Sequence, residues 1–251
     1  MNAIFEKIGS FFMTILVAIL SFFGFYNEVE VPDTDAEIMR IYQQAVADFN
    51  ENVPSFVKET TTTLNSSSFE VSGITDPAAV NAFSTYLSSG RTNIEKVSKG
   101  SANNEFLFFK NPLLSAVEST ECKITDDGLN YNITIVLKNE VSKGKAVDTL
   151  ATVTDNYRDA ADLNEFINAN GYTASATTVQ LSNITIKATV SVAGSRISSL
   201  FISFDETAVF DNLENSYGES YSESSYNSTT TLRYRDIADW KAEASTTAAA
   251  A

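Results

Sequence analysis

The chain has 251 residues, 43% of them hydrophobic and 11% aromatic, enough apolar material for one folded domain with an appendage. Its 17 Lys and Arg stand against 32 Asp and Glu, a formal net charge of -15, so nucleic acid is not expected as a partner and anionic lipid headgroups would be repelled. Histidine is absent and Cys122 is the single cysteine, which removes Ser-His-Asp and Cys-His catalysis, the common zinc and haem ligand sets and any intrachain disulfide, and leaves no cofactor to expect.

Residues 1–27 read as a membrane anchor or signal. Ile8 to Tyr26 carries no charge over 19 residues, about 28 Å at helical rise, which spans a hydrocarbon core. Lys7 precedes it and Glu28, Glu30, Asp33, Asp35 and Glu37 follow it, so the positive-inside bias places the N-terminus in the cytoplasm and the domain outside. The alternative, secretion after signal cleavage, is opposed by Phe22, Phe23 and Phe25, which occupy positions where a cleavage site wants small residues. Within the segment Ser10, Thr14 and Ala18 recur at four-residue steps, a narrow stripe of small residues through which two such helices would pack as a weak homodimer.

Residues 28–240 read as an extracytoplasmic α+β domain. Thr34 to Glu37 has capping-box spacing, and Ile38, Ile41, Tyr42, Ala45 and Phe49 then form one apolar helical stripe that Pro54 ends. Asp76-Pro77 to Gly90 predicts a second helix, with Val80, Phe83 and Leu87 inward, and Arg158 to Ala169 predicts a third, closed by Asn170-Gly171. Asp127-Gly128, read as a two-residue turn with positive φ at both positions, sets Ile124 opposite Tyr131, Cys122 opposite Ile133 and Thr120 opposite Ile135. A three-residue loop at Ala193-Gly194-Ser195 sets Ile184 opposite Phe204, Ile186 opposite Ile202 and Ala188 opposite Leu200. Tyr226 to Tyr234 supplies a last strand. The fold class is α+β, an antiparallel sheet of five or more strands packed against two or three helices, preceded by a single N-terminal transmembrane helix. The run FLFFKNPLL fits strand or buried helix, and residues 241–251 have nothing to bury and read as a disordered tail.

The most suggestive stretch for a partner is ENSYGESYSESSY, Glu214 to Tyr226. Tyr217, Tyr221 and Tyr226 there offer broad amphipathic contact area at small rotamer cost, and Ser and Gly adapt their hydrogen bonds to a ligand. Other constellations have blander readings. Asp155, Asp159 and Asp162 share a helical face that suits solvent better than calcium, and Asp126-Asp127-Gly128 is turn chemistry first. Glu118 and Glu121, three apart on a strand, point to opposite faces and cannot flank one glycosidic bond, and Ser98-Lys99 has no supporting context as a dyad. Cys122 reads as a small core hydrophobe, and the sequons at Asn65, Asn132, Asn183 and Asn227 are no more frequent than chance gives in a Ser/Thr-rich chain.

The sequence therefore points to a non-enzymatic, membrane-anchored cell-surface domain that binds a protein or glycan ligand. Its rival is a carrier holding a lipid or other apolar ligand between sheet and helices, lined by Tyr42, Phe49, Phe83, Phe201 and Phe204. A carboxylate or Ser-Lys hydrolase ranks last.

Overall fold

The Thr34 signal starts a helix as its spacing requires. In the computed structural model, which describes residues 30–67, 85, 93–100, 112–144 and 157–240, helix α1 runs Asp35–Asn52 and the Glu37 amide donates to the Thr34 hydroxyl at 3.3 Å. Its stripe is buried at Ile38, Met39, Tyr42, Ala45, Val46 and Phe49. Pro54 cannot continue the helix, so Val53 closes it in the left-handed region at φ 44, donating its N–H to the Phe49 carbonyl at 2.9 Å. A β-branched residue is strained there. Val53→Gly is expected to raise unfolding stability by about 1 kcal/mol, measured by denaturant titration; a lower midpoint would mean that the packing of the valine outweighs its strain.

The strands are β1 (Ser55–Ser67), β2 (Asn93–Val97), β3 (Val117–Ile124), β4 (Asn130–Leu137), β5 (Glu140–Ser142), β6 (Tyr172–Thr173), β7 (Ala176–Ser191), β8 (Ile197–Asn215) and β9 (Ser220–Ala238), with helix α2 at Ala160–Ala169. They form one nine-stranded sheet in the order β2-β1-β9-β8-β7-β4-β3, with β5 paired to β7 and β6 to β8, and every pairing is antiparallel. The α+β class and antiparallel sheet are as predicted. Helix α1 packs against β3, β7 and β8, and α2 against β6 and β7. Where α1 meets the sheet, Phe49 and Phe56 have ring centroids 5.4 Å apart, and Trp240 meets the edge of Phe49 at 5.8 Å.

One face of the sheet stays buried through a change of phase. On β7, Thr177, Val179 and Leu181 are buried at odd positions, then Ile184, Ile186, Ala188 and Val190 at even ones. The switch occurs where the β7–β8 register shifts between Ser182 and Thr185, with Asn183 at φ 53 as the extra residue. Without that bulge, everything after it would turn outward. The predicted pairs Ile186/Ile202 and Ala188/Leu200 are present, but Ile184 sits in the bulge and has no partner in Phe204. The β7–β8 connection is also one residue longer than predicted: the Ser191 amide bonds the Arg196 carbonyl at 2.8 Å, and Ser195, at φ 48, takes the left-handed position.

At the first hairpin the predicted register holds at all three pairs. The turn differs. Gly128 alone has positive φ, 72, and its amide bonds the Thr125 carbonyl at 2.8 Å. Asp127 keeps an ordinary φ because its carboxylate takes the Thr125 hydroxyl and, at 3.0 Å, the Leu129 amide, bonds that hold its carboxyl below the usual range. Gly128→Val should cost roughly 1 kcal/mol or more in thermal unfolding. An unchanged midpoint would contradict this turn.

The predicted helix at 76–90, apart from residue 85, lies outside the described residues, as do residues 101–111, the tail 241–251 and the segment carrying Ser10, Thr14 and Ala18. Among the described residues no helix is long and apolar enough to cross a membrane.

Candidate binding site

Helix α2 is set in place by its own first residues. Asp159 is the N-cap; its carboxylate accepts from the Asp162 amide at 2.9 Å, and the Asp162 carboxylate accepts from the Asp159 amide at 3.3 Å. These two carboxylates serve helix amides; Asp162 remains exposed to solvent, Asp159 is buried at the cap rather than solvated, and Asp155 lies outside the described residues. Among the described residues no three metal-ligating side chains gather.

Just before the cap, Arg158 is buried against the sheet. Glu206 on β8, wholly buried, meets the Arg158 Nε at 2.8 Å and the Arg158 backbone amide at 3.1 Å, and accepts from the Tyr226 hydroxyl at 2.5 Å. The guanidinium lies 5.1 Å from the Tyr226 ring centroid and within 3.4 Å of the Ser228 hydroxyl. A buried carboxylate with these partners fixes the entry to α2.

Two adjoining clefts lie beside α2. The exposed side of α2 faces the turn from β6 into β7 across a cleft of about 600 Å³ whose lining includes Lys143, Asn164, Asn168, Ser175, Thr177 and Asp211, with Thr173 beside them. Asn164 is held by the Thr177 hydroxyl, which donates to its carbonyl oxygen at 2.6 Å, and Ser175 is held on the Asp211 carbonyl at 3.0 Å. A second cleft of about 330 Å³ adjoins it, sharing Asn168 and Thr173 and continuing to Glu214, Asn215 and Ser216. Asp211 and Glu214 are three apart on β8, yet both lie between the buried Phe210 and Leu213 and solvent. Asn212 between them is exposed at φ 47, and the β8–β9 register runs past it without a shift.

The β8–β9 turn stands at the end of the second cleft. The Asn215 side-chain oxygen accepts from the amides of Tyr217 and Glu219, both at 3.0 Å, and Gly218 takes φ 81, which leaves Tyr217 90% exposed on a fixed loop. The three tyrosines are thus separated. Tyr221, half-buried in β9, donates to Glu219 at 3.3 Å, and Tyr226 is 2% exposed in the core beside Glu206. The long binding loop read from Glu214 to Tyr226 is corrected to this turn, because β9 begins at Ser220 and runs through the rest.

No protein-family model, curated protein or solved structure matches the chain. The site itself then carries the functional argument. Its polar groups are amides and hydroxyls, with the carboxylates of Asp211 and Glu214 and the ammonium of Lys143. Glu118 and Glu121 are both exposed, the latter paired with Lys123 at 2.6 Å, and Ser98 and Lys99 are exposed beside the Gly100 turn. Cys122 is half-buried, and burial pushes its thiol up, away from the reactive thiolate. Of the apolar lining proposed for a carrier, Tyr42, Phe49 and Phe204 are buried, while Phe201, flanked on its strand by the buried Leu200 and Ile202, points to the other face, and Phe83 lies outside the described residues.

The clefts were legible only in part. Glu214 and Tyr217 fall in the stretch singled out from composition, whereas Asn164 and Asn168 carried no signal except their four-residue spacing on the predicted third helix.

Proposed function

We propose that this protein is a non-enzymatic binding domain that takes a hydroxyl-rich ligand, a glycan, in the two adjoining clefts beside α2. The observation that supports this reading is a groove of side-chain amides and hydroxyls lying next to a single, 90% exposed tyrosine. Amides and hydroxyls donate and accept at once, as sugar hydroxyls require, and an aromatic face packs on the apolar side of a pyranose ring. The carrier reading needs an enclosed apolar cavity, whereas hydroxyl, amide and carboxylate side chains contribute to the lining of these clefts.

The test is retention on an array of neutral and acidic oligosaccharides one to six units long, using the full chain in a detergent without a sugar headgroup. Retention of at least one class supports the reading. Retention of none overturns it.

We place the domain outside the membrane on an N-terminal anchor, a reading supported by the charge-free Ile8–Tyr26 segment with Lys7 before it and acidic residues after it. Protease added to intact, wall-stripped cells should degrade the domain, and full protection would reverse the orientation.

A further inference from the structure

We propose that the two clefts act as consecutive subsites for one linear, uncharged oligosaccharide, with Asn168 and Thr173 as the junction between its units and Tyr217 as the terminal stacking platform. This rests on the glycan reading above. Its basis is that the clefts share two lining residues and differ in their outer ends: Asn164, Thr177 and Ser175 at one, Asn215, Ser216 and the adjacent Tyr217 at the other. A ligand confined to one cleft would leave the other hydrated, whereas a chain crossing the junction gains hydrogen bonds from both ends without paying a second association cost.

The side chains are ordered before binding. Asn164 is oriented by Thr177, and Asn215 by the two turn amides it accepts from and by Glu219, to which its side-chain N–H donates at 2.7 Å, so both side chains are held in a set direction. Asn168, by contrast, is exposed on the last turn of α2 and free to follow the linkage. Charge selects against anionic chains. Asp211 and Glu214 line the clefts with Lys143 as the one cation among their described lining, and the chain carries -15 overall.

The experiment is titration of the full chain with a size series from monosaccharide to hexasaccharide of a neutral glycan that it retains, beside a uronate series of matched length. The affinity should rise roughly tenfold or more between disaccharide and hexasaccharide, as added units reach the second cleft. Asn168→Ala should weaken the hexasaccharide by a clearly larger factor than the disaccharide, removing most of the gain with length, while leaving the unfolding midpoint unchanged. Tyr217→Ser should remove the terminal increment alone. Equal affinity for all lengths, or an Asn168→Ala loss identical at every length, would overturn the subsite arrangement while leaving glycan binding standing. Preference for the uronate series would overturn the neutral-chain assignment, and no binding to any series would overturn the underlying glycan reading.

Discussion

Glu206→Ala is expected to unfold the domain at a markedly lower denaturant concentration, a loss of about 3–5 kcal/mol. The reason is asymmetric. With the carboxylate gone, the Arg158 guanidinium, 4% exposed among Tyr226 and Ser228, loses the anion that meets it at 2.8 Å, and the Tyr226 hydroxyl and Arg158 amide lose this acceptor. Replacing both charges by apolar groups of similar volume, Glu206→Leu with Arg158→Met, should cost much less than either single change, because no charge then remains buried. Equal losses in the double and single variants would show that the pair acts through shape alone. Since Arg158 immediately precedes the Asp159 cap, the Glu206→Ala variant should also lose the cleft that α2 forms with the β6–β7 turn.

The tyrosines of the 214–226 stretch should separate by function. Tyr217→Ser leaves the unfolding midpoint nearly unchanged, since the side chain is exposed and its turn is held by Asn215 and Gly218, but it should weaken glycan retention by roughly tenfold or more, as loss of an aromatic anchor does. Tyr226→Ser should do the reverse in order of cause. Removing a 2% exposed ring that packs 6.4 Å from Phe210 and holds Glu206 costs about 3–5 kcal/mol, and binding then falls only as far as the folded fraction does. Unfolding by Tyr217→Ser, or intact stability in Tyr226→Ser, would reverse these assignments.

Much of the fold was legible because the strongest local signals are also tertiary ones. Thr34 and Pro54 bound α1 as read, the first hairpin adopts its predicted register, and the second keeps the Ile186/Ile202 and Ala188/Leu200 pairs. The bulge at Asn183 escaped because period-two alternation looks unbroken when one extra polar residue absorbs the phase change. Strand β9 begins at Ser220, ahead of the Tyr226 start read from sequence, and its early inward position Ser224 is polar, as are Ser228 and Thr230 further along. Hydroxyls on a buried face defeat a hydrophobicity pattern. Two of them answer to partners that sequence cannot display: Ser228 to the Arg158 guanidinium, and Thr230 to Thr62 on the neighbouring strand at 3.0 Å.

The site was less legible than the fold for a related reason. Its lining comes from α2, β6, β7, β8 and the segments beside them, spread in sequence from Lys143 to Ser216. Composition drew attention to the tyrosines together, and the strand that follows the turn took one of them into the core.

The most direct test of the central claim is a chemical-shift or hydrogen-exchange map of the full chain with and without a saturating neutral oligosaccharide that the array retains. Binding in the clefts predicts perturbation or protection concentrated at Asn164, Asn168, Thr173, Asn215 and Tyr217, with none at the α1 face. Changes centred on α1 or the far β2 edge, with the clefts silent, would contradict it.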